Sequence, residues 1–476
     1  MVFSSITFLF YFLPIALLLY YFTVFRNAVL VLISLLFYAW GEPVFVLAML
    51  GSIAVNYGFA RAIDGRAGKA RRWAVGLGLA ANLVFLGVFK YANFALTTLS
   101  VLYAMLGWGT VAPVDIALPL GISFFTFHAM SYLIDVYRRD ATAERNPINV
   151  ALYFALFPQL IAGPIVRFKN ITAEIHRRRH NAELFADGIK YFIVGLGLKV
   201  LLANNFAVPA DAAFGLAREH LYGSIAWLGM ICFGLQIYFD FAGYSLMAIG
   251  LGMMFGFHLP TNFNHPYIAQ SIAEFWRRWH MTLSAWFRDY VYIPLGGNRR
   301  GSARTYFNLL TVFVLCGLWH GAAWNFLAWG LCHGACLILE RGAFGRALAR
   351  ARRPARHLYV LLVVFGAWVL FRADGFDHAA NYYAALFGGA DGDPRRNPIE
   401  AYLHAELWLA LALGAVMATP LPARAAAWIG RQLTARGGAG ALVADSARIG
   451  GLLVVFVVAS AYVAGGAYNP FIYFRF

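Results

Sequence analysis

The sequence predicts an all-α, polytopic transmembrane helical protein, and three observations lead there. Of its 476 residues, 61% are hydrophobic and only 13% charged, about half the charged share of a soluble domain. The apolar residues run in long blocks, such as "SITFLFYFLPIALLLYYF" at 5–22 and "AVLVLISLLFYAW" at 28–40. A helix crosses a bilayer with roughly 20 mainly apolar residues, and several blocks are about that long. Lys and Arg collect in the short connectors between blocks, the pattern that orients membrane proteins.

Roughly ten to twelve membrane-entering helices fit the blocks. The blocks do not alternate apolar and polar residues, which argues against a β-barrel. The first block has no basic residue before it and no A-x-A site after it, so it reads as a retained helix and not as a cleaved leader. The net charge of +16 belongs to the connectors, so nucleic acid is not an expected partner; the lipid bilayer is. Cys232, Cys316, Cys332 and Cys336 all lie in apolar blocks without a C-x-x-C pair. They read as free thiols, with no metal site.

Counting basic connectors places the N-terminus outside and Arg26 inside. The next two blocks, broken at "GEPV", form a hairpin that returns to the inside at "ARAIDGRAGKARRW" (60–73). The chain leaves again and returns through "PLGISFFTFHAMSYLIDVYRRD" (119–140). "VALYFALFPQLIAGPIVRFK" (150–169) lies between two basic stretches and is interrupted by Pro158 and Gly163-Pro164, so it reads as a re-entrant loop buried in protein. Residues 224–257 are long and Gly-rich, and a broken helix is expected there. "EFWRRWHMTLSAWFRDYVYIPLGGNRRGSAR" (274–304) is aromatic and basic at once and suits the inner interface. Residues 307–339 enter and return, because basic stretches flank both ends. The final span, near 452–465, leaves the C-terminus outside or at the outer interface.

Ionisable groups inside a membrane are candidate sites because they are expensive to bury there. His320 stands mid-block in "LCGLWHGAAWNFLAWGLCHG", beside Trp319 and shortly before Asn325. Its residue type suits a proton acceptor at neutral pH. Spacing alone leaves a second reading open, a histidine hydrogen-bonded between helices. His280 in "FWRRWHMTLS" is either an orienting group for the same site or an interfacial histidine in a basic helix. His333, thirteen residues beyond His320, is expected at another direction and depth, as a packing residue. His128 reads as structural. "DGD" at 391–393 is a weak metal-binding pattern. No H-E-x-x-H, G-x-S-x-G or Walker A loop occurs.

Taken in order, "PLGISFFTFHAMSYLIDVYR", "FPQLIAGPIVRF", "QIYFDFAGYSLMAIGLGMMFGFHLPTNFNHPY", "EFWRRWHMTLSAWFRDYVYIPLGGNR" and "LWHGAAWNFLAWG" resemble bacterial membrane-bound O-acyltransferases (MBOAT) of the alginate O-acetyltransferase type. The likeness covers nearly the whole chain. His128 departs from it, standing where Gln is expected. The resemblance implies one membrane-embedded acyltransferase domain, 1–476, with re-entrant loops, a central funnel or tunnel, and a C-terminal aromatic tail, 467–476.

It further implies a multi-pass protein of the bacterial inner membrane. Such an enzyme takes an acetyl group from a cytoplasmic donor, acetyl-CoA, for O-acetylation of an envelope or secreted polysaccharide such as alginate, by way of a periplasmic acetyltransferase partner. His320 and His280 match the family's two histidines. Trp319 and Asn325 are then substrate-binding candidates. Arg277, Arg278, Arg299 and Arg300 could attract the donor's phosphates, or could be ordinary topology charges. No bound cofactor is implied.

The tail "AYNPFIYFRF" has two readings. One is an aromatic anchor at the outer interface. The other follows from the resemblance, since related acyl exporters are proposed to hold the acyl group on a tyrosine of such a peptide. Tyr473 is then a possible acyl carrier, with His320 as its base. Rival readings are D-alanyl or peptidoglycan acyl transfer, a transporter or flippase using Asp240 and Gln236, and a glycosyltransferase using Asp391 and Asp393.

Overall fold

The computed structural model describes residues 1–472 apart from Val111, Pro113 and Asp391. These residues form helices and loops, with no strand among them. The N-terminal part holds α1 (Thr7–Tyr21), α2 (Arg26–Ala39), α3 (Phe45–Asp64) and α4 (Gly68–Met105). α4 carries a π-helical turn at Gly87–Tyr91. Next come α5 (Ile122–Arg138), α6 (Pro147–Ala155), α7 (Phe157–Leu160) and α8 (Phe168–His176).

The centre is α9 (Ala182–Gly215), with a π turn at Leu198–Ala203, packed along α10 (Gly223–Met254). Two short helices, α11 (Ile272–Arg278) and α12 (Met281–Phe287), precede the hairpin of α13 (Gly301–His320) and α14 (Trp324–Arg341). The rest is α15 (Ala343–Arg350), α16 (Arg353–Arg372), α17 (Phe376–Leu386), α18 (Ala405–Met417), α19 (Leu421–Thr434) and α20 (Gly438–Ala464).

Six of these helices, α3, α4, α9, α10, α16 and α20, are long and apolar enough to cross a membrane. α18 and α19 make a seventh if their 72° bend is one broken span. This is a multi-pass membrane protein with fewer full spans than the ten to twelve entering helices expected. α1 and α2 are apolar but shorter. Other apolar blocks are cut by turns.

Residues 224–257 correct the sequence reading most clearly. They form one continuous helix, α10, of 32 residues. Its glycines do not break it; they let another backbone approach. A Cβ at Gly250 would stand 2.4 Å from the Gly188 carbonyl oxygen, and one at Gly195 would stand 2.5 Å from that of Gly243. Small residues at matching heights bring α9 and α10 into main-chain contact. The interruption at 150–169 is as expected. Asn146 caps α6, accepting from the Ile148 N–H at 2.9 Å. The helix stops at Leu156 before Pro158, and the backbone through Val166 lies buried. All four cysteines are free thiols.

One buried apolar cluster runs from Phe3 to Ile472. α10 is its axis, with 89% of its apolar window inside the protein, whereas α20 has 6% inside.

Candidate active site

α13 and α14 meet in a tight antiparallel hairpin, again through glycine. A Cβ at Gly330 would fall 2.2 Å from the Phe313 carbonyl oxygen, and one at Gly317 would fall 2.4 Å from that of Phe326. The close crossing forces the chain to turn at 321–323. His320 is therefore the last residue of α13, at the hairpin tip, and not in the middle of a span.

The final carbonyls of a helix have no partner within it. Here they are capped by α4. Lys90 donates from Nζ to the Trp319 carbonyl at 2.5 Å, the His320 carbonyl at 3.3 Å and Ser123 Oγ at 3.0 Å. The Tyr91 hydroxyl donates to the Leu318 carbonyl at 2.7 Å. An N–H donor aimed at a helix C-terminus also complements the helix dipole. Both capping residues sit in the π turn of α4, a feature common at functional positions.

The His320 ring is enclosed edge-on by Trp319, Trp329 and Phe371, with ring centroids at 4.9, 5.0 and 5.1 Å. Its Nε2 is buried and has no hydrogen-bond partner among the described residues. His280 lies on the other side of the same indole, 5.9 Å from the Trp319 ring and 4.7 Å from that of Phe241. Both its nitrogens are buried and unpartnered among the described residues. Three imidazole nitrogens thus converge around Trp319 without partners. A buried polar atom left unsatisfied is costly and uncommon, so these nitrogens mark the cluster as a candidate site.

His280 also has a strained backbone, with φ 42° and ψ 55° in the left-handed region. The surroundings impose it. The Met281 N–H donates to the Asn262 carbonyl at 2.9 Å, and the Asn264 N–H donates to the Arg278 carbonyl at 2.9 Å. This short pairing reverses the chain between α11 and α12 and turns the imidazole inward. Strain of this kind is often found at functional sites.

Two spaces lie near the histidines, and His320 lines the smaller of them. The larger is a cavity of about 500 Å³ lined by Trp276, Phe313 and Cys316, with Arg277, Arg288 and Arg341 also on its wall. Those three arginines are exposed. Cys316 lies one helical turn before His320, so the cavity ends close below the histidine. The smaller is a chamber of about 20 Å³ bounded by Lys90, Ser123, Trp319 and His320, room for about one water.

The comparisons with known proteins give the family. The sequence model for MBOAT, the membrane-bound O-acyltransferase family, matches residues 84–373, more than half of the chain, with Lys90, His280 and His320 inside the match. The chain belongs to the membrane-bound O-acyltransferase family. It is 45% identical over 396 residues to "Probable alginate O-acetylase AlgI" of Azotobacter vinelandii, covering 82% of this chain and 79% of the relative. A Pseudomonas putida protein of the same description is 40% identical, with both chains fully covered. The "Peptidoglycan O-acetyltransferase" of Helicobacter pylori is 36% identical, over 82% of this chain and 80% of the relative.

The acyltransferase places the other candidates as follows. Arg277 faces the larger cavity. Arg278 turns aside into an ion pair with Glu274 at 2.9 Å and donates to the Asn264 carbonyl at 3.1 Å. Asn325 uses its Nδ2 on the carbonyls of Leu370 and Ala373, at 3.1 and 2.7 Å. That ties α14 to the end of α16, which carries Phe371 against His320.

His333 is not at a remote depth. The hairpin brings it to within one indole of His320, with Trp329 between them. Trp276 Nε1 donates to its Nδ1 at 3.3 Å, while its Nε2, like that of His320, is buried without a partner among the described residues. His128 Nε2 accepts from the Val166 N–H at 3.3 Å, holding α5 to the interrupted segment. Tyr473 and Asp391 lie outside the described residues. Asp393 is exposed and accepts from the Arg395 N–H of its own turn. Sequence reasoning missed Lys90, although a lysine within "LVFLGVFKYANF" satisfies the same rule that singled out His320.

Proposed function

We propose that this O-acyltransferase takes an acetyl group from acetyl-CoA on the cytoplasmic side of the bacterial inner membrane. It moves the group outward for O-acetylation of an envelope or secreted polysaccharide of the alginate kind. The observation that supports this most is the cavity that starts among exposed arginines and ends one turn from the unpartnered His320. Arg277 and Arg341 suit the donor's phosphates, since guanidinium groups pair with them bidentately, while Arg288 is paired with Asp289. The apolar wall suits the pantetheine arm.

In this reading His320 is the general base and Trp319 walls the reacting thioester. His280 orients or polarises it, while Asn325 and Arg278 keep the frame in place. The acceptor inside the membrane is the Tyr473 hydroxyl. A phenol is a weak nucleophile unless its proton is taken. His320 takes that proton as the phenol oxygen bonds to the acetyl carbon. The thioester C–S bond breaks, and the leaving thiolate receives the proton as CoA thiol. A periplasmic acetyltransferase partner then moves the acetyl group from tyrosine to a polymer hydroxyl, restoring the phenol.

Labelled acetyl-CoA supplied to one face of proteoliposomes tests the scheme. His320→Ala is expected to lower transfer roughly a thousand-fold with the protein still folded. Tyr473→Phe, which removes only the hydroxyl, is expected to abolish label on the protein. Normal transfer in His320→Ala rejects the central role, and normal transfer in Tyr473→Phe rejects the carrier.

A further inference from the structure

We infer that the buried Lys199–Asp240 ion pair is the receptor for the chain's own C-terminal segment, holding residues 468–472 beside the histidine site. The pair lies buried between two helices long and apolar enough to cross a membrane, Lys199 on α9 and Asp240 on α10. Its side chains are 3% and 1% exposed, and Lys199 Nζ stands 2.9 Å from Asp240 Oδ1. Removing two charges from water is expensive, and a buried pair needs further polar partners to recover that loss. Both charges find theirs in the tail. Lys199 Nζ donates to the Pro470 carbonyl, and Asp240 Oδ2 accepts from the Ile472 N–H at 2.9 Å. Asn204 Oδ1 accepts the remaining contact of Lys199 at 2.8 Å.

The rest of the segment is held residue by residue. The Tyr468 hydroxyl donates to Asp211 Oδ2 at 2.7 Å. Asn469 Nδ2 donates to the Ser4 carbonyl at 2.8 Å, and Asn469 Oδ1 accepts from Asn204 Nδ2 at 3.2 Å. Phe471 packs 4.9 Å from the Tyr244 ring, and both Phe471 and Ile472 are buried. Pro470 has no N–H to bury, so the only main-chain polar group it brings is the carbonyl that Lys199 takes.

The site grips main chain with a cation and an anion and takes apolar side chains in between, so it recognises an extended peptide. Asp240 is followed on α10 by Phe241, whose ring meets His280 at 4.7 Å. One turn of α10 therefore carries the tail's anchor on one face and the histidine's neighbour on the next. That docking serves transfer is the part that rests on the acyl-transfer reading.

The test combines two readouts. In the full-length protein in detergent, carboxypeptidase trimming followed by intact mass measures how readily residues 468–472 are released, with no need for activity. Lys199→Met combined with Asp240→Leu removes the receptor and leaves an apolar pair, a change that is often neutral or stabilising. Trimming through 468–472 is expected to quicken roughly ten-fold or more, with melting within a few degrees of the parent. Acetyl transfer is expected to fall roughly a hundred-fold.

Unchanged trimming overturns the receptor. Quicker trimming with undiminished transfer overturns the link to chemistry, while a parent without any transfer activity overturns only the acyl-transfer reading. Should the double variant not fold, hydrogen exchange at the Ile472 amide of the unaltered protein decides: protection supports the receptor, and free exchange refutes it.

Discussion

Two lysines sit in π turns inside this membrane protein, and their surroundings differ. Lys199 faces a carboxylate, Asp240, and itself donates to the Pro470 carbonyl. Among the described residues Lys90 meets only uncharged acceptors, the Ser123 hydroxyl and the carbonyls of Trp319 and His320. The first lysine belongs to a neutral pair whose purpose is grip. The second brings an amine with no carboxylate partner among the described residues to the end of the helix that presents His320 and to the wall of the chamber beside it. The same residue type on the same local backbone thus does two jobs, decided by what the neighbouring helix offers.

Removing each lysine sharpens the contrast. Lys199→Met leaves Asp240 buried without its cation, and thermal or denaturant unfolding in detergent is expected to show a loss of about 3–5 kcal/mol. A loss no larger than that of Lys90→Met breaks the comparison. Lys90→Met leaves only neutral carbonyls unpaired, about 1–3 kcal/mol. Its main effect is expected on chemistry: kcat falls roughly ten-fold or more while KM for acetyl-CoA stays close to the parent. Lys90→Arg, which keeps a cation at the cap, is expected to recover part of that rate. The smallest effect is expected for Asn325→Ala, which frees the end of α16 and loosens Phe371 from His320. About 1 kcal/mol of stability goes with it, with a several-fold loss of rate measured under the same transfer conditions.

Much of this was legible in the sequence, for identifiable reasons. Apolar blocks with basic connectors gave the membrane class, because bilayer thickness dictates block length. Trp319-His320 stood out as a polar interruption in an apolar run. Pro158 and Gly163-Pro164 marked the broken segment correctly, because proline removes a backbone donor whatever surrounds it. The glycines of α10 misled, because a glycine reads alike whether it bends a helix or admits a neighbour. Only the partner glycines, Gly188 and Gly195, separate the two cases, and they lie in another block. His333 was misplaced for a related reason, since thirteen residues of spacing says nothing once the chain turns back at 321–323. The grip of Lys199 on Pro470 spans most of the chain, beyond any local pattern.

α10 is 32 residues long, about 48 Å at the helical rise, against roughly 30 Å of hydrocarbon. Sheathed in protein, it is relieved of matching the lipid. α20 is not: only 6% of its apolar window lies inside the protein, and it leads straight into the docked tail. Bilayer thickness therefore bears on α20, the helix next to the segment that Lys199 and Asp240 hold, and not on the axis.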